Sequence, residues 1–249
     1  MSWVEIDLNA MADVVQEMTT AIVNAYDNTE FSEPPTGYTD PHLLAENLQR
    51  FVAIARQVDR QTDTASPDNK ELNELGDLGD YGLSLLAELS EWCETLNMEE
   101  LKVSIEELSI PIALWASRAV GQFREIDIIV NALTRIANQA SDPRFLTELS
   151  AVMREISNAV DEDIKADPDK SDPARPWRIL NINHGIVATR THDPKVMEEV
   201  FGQLLLRFPD DAADFFKEGM EQMDEVDYPN HVRSVMEKYY HLTNKPTLH

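Results

Sequence analysis

A single cysteine, Cys93, stands in 249 residues. That excludes a disulfide framework and any zinc site built on cysteines, and it fits a reducing compartment. Glycine is scarce, with 8 residues, and runs of alternating Val, Ile, Thr or Tyr are few, so a sheet protein is not expected. No stretch reaches the roughly 20 consecutive apolar residues of a membrane span. Glu5, Asp7, Asp13 and Glu17 interrupt the region where a signal peptide would carry its apolar stretch. The expectation is a cytoplasmic chain with no membrane segment.

Catalytic signatures are missing as well. The chain has no G-x-G-x-x-G, no G-x-x-x-x-G-K-[ST], no G-x-S-x-G and no H-E-x-x-H. None of the 6 histidines follows a glutamate by three residues, so the di-iron bundle pattern is absent. Glu237 and His241, four apart, read as a solvated helical pair. Asp167, Asp169 and Ser171 take the spacing of the first EF-hand ligands, but Asp172 stands where the turn glycine belongs and Arg178 where the bidentate glutamate belongs. No catalytic residue, metal or cofactor is expected.

Positive charge is short throughout: the formal net charge is −25, which repels nucleic acid and anionic membranes. Residues 1–101 hold 21 acids and 4 bases, with no base before Arg50; residues 102–160 hold 7 acids and 6 bases; residues 161–249 hold 18 acids and 11 bases. Only the middle segment can offer a cationic surface, through Arg118, Arg124, Arg135, Arg144 and Arg154. An acidic exterior otherwise serves solubility.

What is present is a helix start written three times. Thr39-Asp40-Pro41, Ser141-Asp142-Pro143 and His192-Asp193-Pro194 each continue with apolar residues at offsets three and four from the aspartate and a glutamate at offset six. Aspartate caps, and proline takes the first helical position, where its missing N–H costs nothing. The aspartates stand 102 and 51 residues apart, two periods and one. Apolar positions at three and four mark further helices over about 7–25, 69–96, 98–119, 123–138, 177–190, 209–224 and 229–242. Gly76, Gly79 and Gly82 are expected to bend or divide 69–96, and Pro111 to kink or divide 98–119. The acidic, proline-rich stretch 161–176 reads as a loop. The expectation is an all-α chain of about ten helices stacked as antiparallel hairpins. A single helical domain would span 1–249: a helix and loop over 1–39, hairpins over 40–242 and a tail over 243–249. A helical hairpin cannot bury its own apolar stripe, and stacking on its neighbour does.

The hairpin period and the proline-bearing helix at Pro111 resemble the HEAT and armadillo class of α-solenoids, an α-α superhelix, over residues 40–242. That resemblance implies a binding scaffold with its ligand on a concave face made by the last helix of each repeat. Armadillo-type members grip extended peptides with tryptophans and asparagines, and Trp115, Asn131, Trp177, Asn181 and Asn183 stand in helical segments here. The chain departs from that pattern in having few repeats and no regular tryptophan–asparagine pair.

The densest polar cluster is Trp177-Arg178-Ile179-Leu180-Asn181-Ile182-Asn183-His184, with Trp177, Asn181 and His184 on one helix face. Two readings stand side by side: a groove lined by an aromatic, amides and an imidazole, or polar groups that satisfy buried carbonyls. The same choice applies to the stripe Phe215, Phe216, Met220, Met223, Tyr228, Met236, Tyr239 and Tyr240, either a docking surface or a packed cap. The expectation is a non-enzymatic scaffold for an unidentified protein or peptide, with Trp115, Arg118, Asn131, Arg135, Trp177, Arg178, Asn181 and His184 as partner-binding candidates. The alternative is a small-molecule binder or enzyme with a pocket near His184, Asn181 and Arg178. Homodimerisation through the terminal helices is a third possibility.

Overall fold

The computed structural model describes residues 7–31, 37–62, 69–119, 122–167, 170 and 172–244, with the backbone path alone at 61–62 and 69–75. These residues form eleven α-helices: α1 Leu8–Asp27, α2 Pro41–Thr62, α3 Asn69–Thr95, α4 Glu99–Ala119, α5 Asp127–Gln139, α6 Pro143–Ala159, α7 Glu162–Lys165, α8 Pro176–Arg190, α9 Pro194–Arg207, α10 Pro209–Glu225 and α11 Asn230–Thr243. The fold class is all-α. The extended pairing among the described residues is one isolated parallel bridge, Phe123 with Val160.

All three Asp-Pro signals open helices. The Asp40 carboxylate accepts from His42 N–H at 2.8 Å, Asp142 from Arg144 N–H at 3.1 Å and Asp193 from Lys195 N–H at 2.8 Å. Each carboxylate satisfies a donor that the helix itself leaves orphaned. In every copy the apolar residue at offset four is the one that enters the core: Leu44, Leu146 and Met197 are 1%, 1% and 0% exposed. Two of the glutamates at offset six hold arginines, Glu46 with Arg50 and Glu199 with Arg154.

Contacts group the chain into two units, one of residues 1–133 and 158–166, the other of residues 134–157 and 167–249. In the first, consecutive helices pack against each other. The antiparallel sense is read from partner numbers that run in opposite directions. Asp27 meets His42 and the Leu8 carbonyl meets Arg56 between α1 and α2; Glu94 meets Lys102 and Ser90 meets Glu106 between α3 and α4. In the second unit α8 packs on α9, α10 on α11, and α9 touches both α10 and α11. Phe201 of α9 sits among Phe215, Phe216 and Tyr239, with ring centroids 5.0–5.8 Å away.

Several sequence expectations are corrected. Residues 69–95 make one undivided helix, and two of its glycines serve packing: a Cβ at Gly82 would lie 2.5 Å from the buried Phe51 ring, and one at Gly79 would lie 3.0 Å from Ala116 Cβ. Helix α4 is not divided at Pro111, which stands inside it between the buried Ile110 and Ile112. The helix expected from residue 123 starts at Asp127, since Phe123 is taken into the bridge: its N–H donates to the Ala159 carbonyl at 3.0 Å and its carbonyl accepts from Asp161 at 2.9 Å. The acidic stretch 161–176 holds the short α7, capped by Asp161. Asp169 and Ser171 of the calcium-type spacing lie outside the described residues.

Candidate functional site

The polar cluster on α8 is built into the packing of the second unit. Trp177, Asn181 and His184 are 3%, 4% and 6% exposed. The Asn181 amide N–H donates to the Trp177 carbonyl one turn back at 2.8 Å, and its oxygen accepts from Arg207 of α9 at 2.9 Å. The Arg207 guanidinium also covers the Trp177 ring, 5.1 Å from its centroid. Asn183 donates to Thr134 Oγ1 of α5 at 2.7 Å. Two asparagines inside one helix are thus explained by the neighbours they tie. His184 Nε2 shares a 2.9 Å hydrogen bond with Ser150 Oγ of α6. Burial, reinforced by the Arg207 and Arg154 charges and opposed by the Ser150 hydrogen bond, pushes the His184 pKa down to about 4. The imidazole is therefore neutral at physiological pH.

The remaining candidates fall elsewhere. Trp115 is 3% exposed, edge-on to Phe51, and its indole N–H has no hydrogen-bond partner among the described residues. Arg118 and Asn131 are exposed on the first unit, and Arg135 is half-buried in the second. Arg178 is held by Asp211 of α10 at 2.6 Å and by the Pro173 carbonyl at 3.1 Å. Trp115, Trp177, Asn181 and His184 therefore present no exposed surface to a partner, because each ring or amide is spent on the interior.

The described residues of the second unit include two concave sites. The first, about 390 Å³, sits at the N-terminal ends of α8 and α10. Four of its charged residues are mutually engaged: Arg175 grips both oxygens of Asp167 at 2.5 and 2.8 Å, and Arg178 holds Asp211. Arg178 lines it, whereas neither His184 nor Asn181 does.

The second is an apolar groove of about 300 Å³, at the low end of the range for ligand sites. Ile182 and Ile186 of α8, Phe215 and Met223 of α10, and Met236 of α11 line it, with Tyr228 at one end. Two glycines bring these side chains together. A Cβ at Gly185 would stand 2.7 Å from the Phe215 ring, and one at Gly219 would stand 2.7 Å from the end of Met236. Ile186 is 43% exposed. Part of the polar rim is satisfied from within. Thr189 Oγ1 donates to the Gly185 carbonyl at 2.9 Å, and the Arg190 guanidinium donates to the carbonyls of Ala137 and Ala140 at the end of α5. The groove thus offers adaptable apolar surface edged by Glu218 and Gln222.

The aromatic and methionine stripe divides between the two roles weighed for it. Phe216, Met223, Met236 and Tyr239 are buried, whereas Phe215, Met220, Tyr228 and Tyr240 are half-buried. The α8 side of the groove, Ile182 and Ile186, was not among the candidates. Its signal was weak: a glycine inside a helix, Gly185, next to the exposed face of an otherwise buried segment. Among the described residues no group of three or more His, Cys, Asp or Glu is arranged to hold a metal ion, and no helix is long and apolar enough to cross a membrane. No protein-family model, no curated protein and no solved structure matches this chain.

Proposed function

We propose that the chain is a non-enzymatic helical scaffold that binds a protein or peptide in the groove between α8, α10 and α11. The observation that carries this reading is a concave apolar surface that includes the exposed Ile186 and whose Thr189 and Arg190 are already engaged with backbone carbonyls. Such a surface favours an inserted apolar side chain, worth about 1.5–3 kcal/mol for a fully buried leucine or phenylalanine. It supplies none of the activated nucleophiles or acid–base pairs that a reaction needs. Sequential antiparallel packing supports the wider assignment to hairpin-repeat scaffolds of the α-solenoid kind, and the single buried cysteine fits action in a reducing compartment such as the cytoplasm.

Selection from a random peptide library against the full chain tests the reading. The expected result is enrichment of peptides with bulky apolar residues, whose affinity falls in Ile186→Gln while the variant's melting temperature is held. Lack of enrichment, or binding indifferent to Ile186→Gln, removes the proposal.

A further inference from the structure

Helix α10 carries seven acids and one base, Lys217. Four of the acids, Asp214, Glu218, Glu221 and Glu225, follow one another at spacings of four, three and four, so they form one ridge along the helix. The ridge flanks the groove: Glu218 is itself a lining residue, and the groove floor on the same helix is Phe215, Gly219 and Met223. All four acids are exposed, and none has an ion-pair partner among the described residues. Two of the cations on α8 and α11 are committed elsewhere, and Lys217 is the one base on the ridge's own helix. Arg190 is tied to the α5 carbonyls, and Arg233 to the Met223 carbonyl and Asp224. The apolar floor therefore has a wall whose four acids outnumber Lys217, the single base of the helix, and leave it net negative.

From this charge complementarity we infer that the occupant is a basic amphipathic segment of another protein, with bulky apolar side chains in the groove and Lys or Arg residues along the α10 ridge. The inference rests on the groove reading above and adds the chemistry of the partner. A second copy of this chain is disfavoured by its net charge of −25, which makes self-approach repulsive. An acidic partner meets the same repulsion. Opposed charges at the groove edge steer encounter and reject like-charged competitors, and the apolar contact supplies the hold.

The test uses the full chain and three labelled helical peptides of the same leucine pattern, with Lys, Gln or Glu at the polar positions, read by fluorescence anisotropy. The Lys peptide is expected to bind about tenfold or more tighter than the Gln peptide at low salt, with the advantage shrinking as salt rises. Reversing the ridge with Glu218→Lys plus Glu221→Lys removes that advantage. Reversing two exposed acids of α1, Asp13→Lys plus Glu17→Lys, changes the net charge equally and leaves it in place. Ile186→Gln weakens binding of the Lys and Gln peptides alike. If these two peptides bind equally and Ile186→Gln weakens both, the groove stands and the charge inference falls. If the α1 pair matters as much as the ridge pair, the attraction is the general charge of the chain and the inference is overturned. If no peptide binds, or Ile186→Gln changes nothing, the groove reading itself fails and takes the inference with it. A dimer in sedimentation that Ile186→Gln dissolves assigns the groove to a second copy and equally overturns it.

Discussion

Replacing His184 by glutamine should flatten one part of the acid-stability curve. The native imidazole has its pKa pushed down to about 4 from the ordinary 6.5, by burial first and by the Arg207 and Arg154 charges after it. Between these values the unfolded chain binds a proton that the native chain refuses, so acidification favours unfolding. The stabilisation is complete above pH 6.5, declines as pH falls, and is lost by about pH 4. Two and a half pH units at about 1.4 kcal/mol each amount to about 3.5 kcal/mol in full, of which about 3 kcal/mol is gone by pH 4. Glutamine can keep a hydrogen bond to Ser150 Oγ, because its amide both donates and accepts. Its cost at neutral pH should therefore stay within about 1–2 kcal/mol. Urea unfolding of both proteins at constant ionic strength, from pH 8 down to pH 4, gives the difference curve. Exposed carboxylates titrate in both proteins and cancel. The wild type is expected to lose about 3 kcal/mol more than the variant over this range. Parallel curves, or an imidazole NMR titration centred near pH 6.5, would refute the account of His184 as a buried neutral group.

Two further outcomes follow from local chemistry. Asp193→Ala removes the acceptor for Lys195 N–H and should cost about 1 kcal/mol, with Asp193→Asn recovering most of it, as read from urea midpoints. Cys93 is buried, and its thiol pKa is pushed up to about 12, first by burial and against a small opposing effect of Lys102. The thiolate fraction at pH 8 is then about one in ten thousand, so a disulfide reagent should leave the folded protein unmodified and label it fully in guanidinium chloride; rapid labelling of the folded protein contradicts the burial.

Helix starts were legible because their causes are local. An aspartate beside a proline stops one turn and begins the next wherever the chain goes, and Asp40, Asp142 and Asp193 all do so. The glycines of α3 misled because glycine weakens a helix in isolation, whereas Gly82 serves the Phe51 ring that approaches it from α2. Phe123 misled for a similar reason: helical periodicity included it, but Val160, far along the chain, claims its backbone. Asn181 and His184 were correctly seen as unusual, with both roles left open. Their partners, Arg207 and Ser150, lie 26 and 34 residues away, and no spacing rule connects them.

By itself the sequence determined the all-α class, the antiparallel hairpin order and the strongly acidic surface, because capping, 3.6-residue periodicity and charge count need no knowledge of distant contacts. Tertiary structure alone decided which polar residues are spent inside and where apolar surface stays open. The α8 cluster is interior because Arg207, Ser150 and Thr134 reach it, and the groove exists because Gly185 and Gly219 let Phe215 and Met236 close in from other helices. Burial is a property of what packs against a residue, and that partner is chosen by the fold rather than by its neighbours in the chain.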